Sequence, residues 1–404
     1  MATYLRLDLS AHVLTSASVN DSPAQQRLRE GNATLFEFAP KYINAIMNPG
    51  DDTFSRLACP SPSSSRYEYL RNNTEIKQSQ ARHPSRKYFF ALDLYNCVKL
   101  LPRLLGTVVE AMRYLGPENC ALSIVEGRSD DGTFEILKSL RKEIEATGAL
   151  YYFTTSDVNP LSPGGNRVDQ LAELRNQALE PIKKNPSIFS SQTTVAFLND
   201  VAICMEDVLE LIHQRVYQNA DMTCAMDWVH VAEPPTFYDV WIARSITGDS
   251  FFEIPEDGSW DFAWNLLWND PGSKERLTTY KPFQVFSCWN GAVVFTAKPL
   301  LEQNIQFRSS RETECYQGEP QLFCKDLWFN GYRKISVIPS VNLEYSDENG
   351  QKIKELKGYV HEHVGDDATE DPSVKIKWQN EPPEKIKCLA NYADQHWLPW
   401  DNGL

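Results

Sequence analysis

Asn199-Asp200 follows the apolar run Thr193-Thr194-Val195-Ala196-Phe197-Leu198, so a carboxylate stands where a strand ends. An aspartate there is a candidate ligand for Mg²⁺ or Mn²⁺, hard cations that take oxygen donors and bridge to phosphate oxygens. The same aspartate could equally cap the helix that follows. Glu126-Gly127-Arg128-Ser129-Asp130-Asp131-Gly132-Thr133 is a second polar loop behind an apolar run. Glu126, Arg128, Asp130 and Asp131 could pair with a base or a ribose there, or simply form a turn and a helix cap.

Arg167 and Arg175 lie two helical turns apart and share a face, which suits a diphosphate or plain solvation. In Cys288-Trp289-Asn290-Gly291 a flat ring stands beside an amide and a glycine, a grouping that fits a sugar as well as an ordinary turn. Glu319 and Asp326 are seven positions apart in Gly318–Trp328, which reads as a short helix. Paired carboxylates suit acid–base chemistry or stabilisation of an oxocarbenium-like centre. His361 and His363, spaced for one face of a strand, are further candidate metal ligands or surface histidines.

These residues need a frame. Tyr88–Leu94, Cys120–Val125, Leu150–Thr154, Thr193–Leu198 and Asp221–Met226 read as strands. They alternate with helical patterns at 98–115, 134–146, 167–179 and 205–219, the rhythm of a doubly wound, mostly parallel α/β sheet. Ligands of such sheets bind beyond the carboxyl ends of the strands, which adds Asp93 to the rim. Residues 1–85 read as an N-terminal arm with a helix near 37–47, and 86–230 as the nucleotide-sugar-binding region. The Trp-rich 231–345 reads as the acceptor and catalytic region, and 346–404 as a polar segment with no strong period.

The net charge of −14 argues against a nucleic-acid partner, and no run approaches the ~20 apolar residues of a membrane span. The nine cysteines form no C-x-x-C pair. They read as buried reduced thiols, with Cys315–Cys324 as a possible local disulfide. Asn32-Ala33-Thr34 and Asn72-Asn73-Thr74 match the glycosylation sequon. The chain as written is expected in the cytoplasm, or in the Golgi lumen if an N-terminal anchor has been removed.

Several runs occur together in one order: Arg66–Leu70, Tyr88–Asn96, Leu115–Thr133, Phe197–Val201, Asp221–Trp228, Phe251–Pro255, Gly258–Asp261, Phe283–Ala292 and Gly318–Trp328. In this combination, over about residues 66–360, the chain resembles the fungal cryptococcal-type α-1,3-mannosyltransferases, glycosyltransferase family 69, which include capsule-associated proteins. The resemblance implies a GT-A fold with a merged acceptor-binding part, GDP-mannose as donor, Mn²⁺ or Mg²⁺, and retention at the anomeric carbon. It implies a glycan, lipid or small-molecule acceptor. Asp200 matches the last residue of the Asp-x-Asp motif; the matching place reads Leu198-Asn199-Asp200, so the first carboxylate is missing. Asp93, Glu126, Arg128, Asp130, Asp131, Arg175, Asn199, Trp289, Asn290 and Gly291 are then expected on the donor. Glu319, Asp326 and Asp261 are expected at the reacting sugar, and Asp200, His361 and His363 at the metal. Asn199 leaves the alternative of a catalytically weakened carbohydrate- or nucleotide-sugar-binding protein, and the absence of the family's usual N-terminal anchor from the chain as written leaves that of a transferase for a small fungal metabolite with another donor sugar.

Overall fold

The computed structural model describes residues 30–62, 64–71, 85–230, 234–366 and 371–404. The Asn72 sequon and most of the expected N-terminal arm lie outside them. In chain order the elements begin with α1 (Ala33–Met47), α2 (Ser64–Arg71), β1 (Tyr88–Leu94), α3 (Leu101–Leu115), β2 (Cys120–Glu126) and α4 (Thr133–Ala146). They continue with β3 (Leu150–Thr155), α5 (Arg167–Lys184), β4 (Thr194–Leu198), α6 (Met205–Tyr217), β5 (Met222–Val229), β6 (Thr236–Phe237) and β7 (Arg244–Ser245). Then come α7 (Pro271–Thr278), β8 (Phe283–Ser287), β9 (Ala292–Thr296), α8 (Lys298–Glu302), α9 (Glu319–Phe329), β10 (Ile335–Leu343), α10 (Asp347–Lys357), β11 (Lys385–Asn391) and β12 (Asp394–Pro399).

The main sheet runs β3-β2-β1-β4-β9-β5-β10-β8-β7, with β6 against β5. Strands β1 to β4 are mutually parallel, and β5 is parallel to β10. Between these blocks lies β9, antiparallel to both β4 and β5. The carboxyl ends of β1, β2, β3, β4, β5 and β10 therefore share one edge, and the β8–β9 turn opens on it too. This is the mostly parallel α/β sheet expected, and it passes without a break through both regions divided at residue 230.

Burial on both faces explains why these strands are nearly continuous apolar runs rather than alternating ones. In β1, Phe89 and Ala91 join the core that contains Ala178 and Ile182 of α5 and Phe323 of α9. Phe90 and Leu92, one residue out of phase, join the core of α3, α4 and α6. Helix α5 starts at Asn166, whose Oδ1 accepts from the Val168 and Asp169 N–H groups. Helix α9 starts with Pro320 in its first turn, behind Gly318. A Cβ at Gly318 would lie 2.3 Å from Ile242 Cδ1, so a side chain there would have to push that methyl aside.

Three expectations are corrected. The helix expected from 98 begins at Leu101. The segment 346–404 is not irregular throughout: it holds α10 and the hairpin β11–β12. Six cysteines are not reduced thiols but form Cys59–Cys204, Cys224–Cys288 and Cys315–Cys388, leaving Cys97, Cys120 and Cys324 buried and free. Cys315 therefore pairs with Cys388, 73 positions away, and not with Cys324.

Candidate active site

At the shared carboxyl edge lies a cavity of about 210 Å³. Its inner end is organised around Arg175 of α5. The Nε of Arg175 donates to Glu319 Oε1 at 2.8 Å, and Nη1 lies 3.8 Å from Asp93 Oδ1. Nη1 also donates to Asn199 Oδ1 at 3.4 Å, and the guanidinium carbon lies 4.5 Å from the centre of the Trp289 ring. Burial alone would lower the Arg175 pKa, but Asp93 and Glu319 overcome it and raise it. The cation is thus fixed in the wall rather than swinging in solvent.

Asn199 holds two neighbours through one amide oxygen. Its Oδ1 accepts both from Arg175 and from Trp289 Nε1, the latter at 3.0 Å. A carboxylate there would add charge beside Asp93 and Glu319. The amide instead ties ring and guanidinium together. Asn290 and Gly291 make the β8–β9 turn in the left-handed region, with φ of 54° and 80°. The Asn290 backbone N–H donates to Asp239 Oδ2 at 2.8 Å, while its side chain is buried on the Ala225 carbonyl.

Four carboxylates crowd this edge. Burial raises Asp93 and Asp239 to about 6, and burial with the nearby charge of Asp93 raises Asp200 to about 7. Asp227 is fully buried and pushed well up by desolvation and by Asp239. Its Oδ2 accepts from Tyr345 Oη at 2.5 Å, and Oδ1 has no hydrogen-bond partner among the described residues. Asp200 has no ion-pair partner among the described residues. It also lines a larger groove, of about 870 Å³, that runs past Tyr95, Asn96, Lys99 and Asp131.

These residues fit a hard divalent cation in one respect: Mg²⁺-type sites use one or two carboxylates plus substrate phosphates. Asp200 offers such a desolvated carboxylate, without an ion-pair partner among the described residues. Among the described residues no group of three or more His, Cys, Asp or Glu is arranged to hold a metal by itself.

Of the residues expected at the site, Asp93, Arg175, Asn199, Asp200, Trp289 and Glu319 line the cavity, with Asn290 and Gly291 shaping its turn. The second polar loop stands at the neighbouring strand end and serves largely itself. Glu126 accepts from the Ser129 N–H at 2.6 Å, and Asp131 accepts from the Val98 and Thr133 N–H groups. Asp130 is exposed, its N–H donating to Asn96 Oδ1. Arg128 donates to Asn159 Oδ1 at 2.8 Å and lies over the Tyr95 ring.

Four residues lie apart from the cavity. Asp326 is held by Arg308 at 2.8 Å, at the far end of α9 from Glu319. Seven residues of helix span ~10 Å, so sharing a face did not bring both carboxylates to one centre. Asp261 is exposed among turns, although its neighbour Trp260 lines the cavity. His361 and His363 sit at a short 3₁₀ turn, not on a strand. His361 Nδ1 lies 3.1 Å from Glu206, and His363 stacks on Tyr280 with Nε2 on the Lys357 carbonyl.

Sequence reasoning missed Asp239, Tyr238 and Tyr345, and the contribution of Leu389 to Tyr392. Asp239 stands alone between an aromatic and an apolar residue, a setting without diagnostic spacing. The aromatic density of Phe237-Tyr238 and Trp241 was its only signal.

Comparison with known proteins follows this geometry. The profile of the family described as Cryptococcal mannosyltransferase 1 matches residues 87–326, more than half of the chain. The alpha-1,3-mannosyltransferase CMT1 of Cryptococcus neoformans is 36% identical over 276 residues, covering 66% of this chain and 59% of that protein. The chain thus spans less than two thirds of its relative's length. Among solved structures, S. aureus TarS 1-349 in complex with UDP-GlcNAc is similar at TM-score 0.36 and 16% identity, covering 64% of this chain and 58% of that one. The mannosyltransferase PcManGT from Pyrobaculum calidifontis, in complex with GDP-Man and Mn²⁺, is similar at TM-score 0.38 and 10% identity, covering 77% and 68%. On the strength of the profile match, the chain belongs to the cryptococcal mannosyltransferase 1 family.

Proposed function

We propose that the protein is a retaining glycosyltransferase that moves mannose from GDP-mannose to an acceptor hydroxyl with the aid of Mn²⁺ or Mg²⁺. The observation that carries this reading is Arg175, buried between Glu319, Asp93 and Asn199 beneath Trp289, at a strand edge beside Asp200, which has no ion-pair partner among the described residues. A fixed guanidinium next to a carboxylate free for a cation suits a leaving group that develops phosphate charge.

The nucleoside lies along the ends of β1 and β2, near Tyr95 and Arg128, and the diphosphate points toward Asp200. Bound there, the divalent cation would neutralise diphosphate charge, with Asp200 as its protein ligand. Arg175 faces the phosphate oxygen that departs. Glu319 is a positioning residue that sets the guanidinium, and Trp289 with the Asn290 turn shapes the sugar pocket. In the transfer, the bond from mannose C1 to the phosphate oxygen breaks and one from C1 to the acceptor oxygen forms. The acceptor's proton leaves with the nucleotide phosphate, and GDP is released. Glu319 and Asp239 are each occupied in holding a neighbour, which favours attack from the leaving-group side over a covalent intermediate. Three disulfides support an oxidising lumen of the secretory route as the working compartment.

Mannose transfer by folded Asp200→Ala and Glu319→Ala tests the reading. Asp200→Ala is expected to lose at least ~3 kcal/mol of transition-state stabilisation, more than a hundredfold in turnover. Glu319→Gln, which can still accept from Arg175, recovers part of what Glu319→Ala loses. Near-wild-type turnover by both alanine variants removes these residues from the mechanism.

A further inference from the structure

We propose that Asn32 is a modification site and carries an N-linked oligosaccharide. The proposal rests on the lumenal compartment argued above and is independent of the donor chemistry.

Asn32-Ala33-Thr34 is an acceptor sequon with no proline at its middle position. A sequon is only a spacing, and its use depends on what the fold does with the asparagine amide. All three residues are exposed, where the chain enters α1. The groups of Asn32 have separate tasks. Its Oδ1 caps the helix by accepting from the Thr34 N–H at 2.9 Å. Its backbone N–H donates to Glu135 Oε1 at 2.8 Å, which fastens this corner to α4, and its carbonyl accepts from the Phe36 N–H. The side-chain nitrogen Nδ2 bonds to nothing among the described residues. Asn48 and Asn185, by contrast, spend Nδ2 on helix carbonyls. The sugar bond forms at Nδ2, so the cap on Oδ1 survives the modification.

The site also stays clear of the cavity. Ala39 and Ile46 of α1 join the core of α3 and α4, whereas α5, which carries Arg175, packs into the core on the other face of the sheet. An oligosaccharide at the start of α1 therefore grows from the layer that does not hold Arg175.

The co-reactant is a lipid-pyrophosphate-linked oligosaccharide of the secretory lumen, the compartment in which the three disulfides can persist. Asn32 Nδ2 bonds to C1 of the reducing sugar, and the bond from that C1 to the pyrophosphate oxygen breaks. The lipid pyrophosphate leaves with the electron pair, and one proton of Nδ2 is released.

For the test, the full chain is secreted by a yeast behind a cleavable signal, digested with trypsin and treated with peptide N-glycosidase in heavy-oxygen water. The tryptic peptide 30–41 holds Asn32 and no other sequon, while Asn72 falls between Arg71 and Lys77. Most of peptide 30–41 is expected to carry a glycan and to emerge with an isotope-labelled aspartate in place of Asn32. Thr34→Ala and Asn32→Asp abolish the label, and Thr34→Ser retains it. Aspartate caps a helix as well as asparagine does, so Asn32→Asp removes the site without removing the cap. Bare Asn32 in a secreted chain with Cys59–Cys204 formed overturns the proposal and leaves the lumenal reading standing. The same mapping on the protein isolated from its own cells reads the other failure. Free thiols at Cys59 and Cys204 together with bare Asn32 sink the lumenal reading, and the proposal with it.

Discussion

Around Arg175 the cavity is held together by charge, and along the hairpin β11–β12 it is held by main-chain hydrogen bonds and a disulfide. The inner end draws on the ends of β1 and β4, on α5 and on the start of α9, elements locked into a sheet that is buried on both faces. Arg175, Glu319, Asp93, Asn199 and Trp289 hold one another as counter-charge, donor or acceptor, so a single change strands its neighbours. The outer wall, with Trp241, Trp260 and Tyr392, borrows aromatic side chains from segments with little regular structure of their own. There the backbone is pinned and the side chains face the cavity. The difference separates a part fixed by mutual charge from a part fixed by its backbone alone.

The largest effect that would sharpen this contrast is Arg175→Ala. It leaves Glu319 and Asp93 buried without their cation, and breaking such a buried pair costs about 3–5 kcal/mol. Urea unfolding should show that loss, with mannose transfer undetectable. Arg175→Lys should restore stability better than activity, because an ammonium cannot bond Glu319 and Asn199 in the fork geometry. A drop of less than 1 kcal/mol would mean that the inner end is not held by charge.

The double variant Cys315→Ser/Cys388→Ser comes next, with an expected cost of about 2–4 kcal/mol. Its loss should fall on stability and leave donor affinity in place. Donor affinity lost in step with stability would erase the distinction between the two ends.

The smallest effect concerns pH. Asp200 sits at about 7, and Asp93 and Asp239 at about 6, each raised chiefly by burial. Folded values above the ordinary carboxylate range favour folding while the groups are protonated. Their contribution is full below about pH 4 and fades as pH rises through 6 to 7. Without added metal, the melting temperature should therefore fall between pH 5 and 8, and Asp200→Asn should flatten part of that decline. An unchanged profile in Asp200→Asn would show that the carboxylate is not desolvated.

Much of the inner end was legible because strand ends and helix starts leave marks. The runs before Asp93, Glu126 and Asn199-Asp200 are apolar and stop abruptly, and Asn290-Gly291 signals a turn by itself. The outer wall left no such marks. Asp239 and Tyr345 follow strands β5 and β10, whose pairing shifts register between Val337 and Asn342 before it sets Asp227 opposite Leu343. The disulfides join cysteines 64 to 145 positions apart, and nothing in local spacing says which partner folding will bring within reach. Glu319 and Asp326 share a helix face, yet only the start of that helix points at the cavity.

The most direct measurement is GDP release from GDP-mannose by the wild-type chain with Mn²⁺ and mannobiose, against the same reaction with EDTA and with Asp200→Ala. The account predicts mannosylated product and equimolar GDP in the first, and at least a hundredfold less in the other two. Product formed equally well by Asp200→Ala, or a wild-type chain that neither binds nor consumes GDP-mannose, would contradict it.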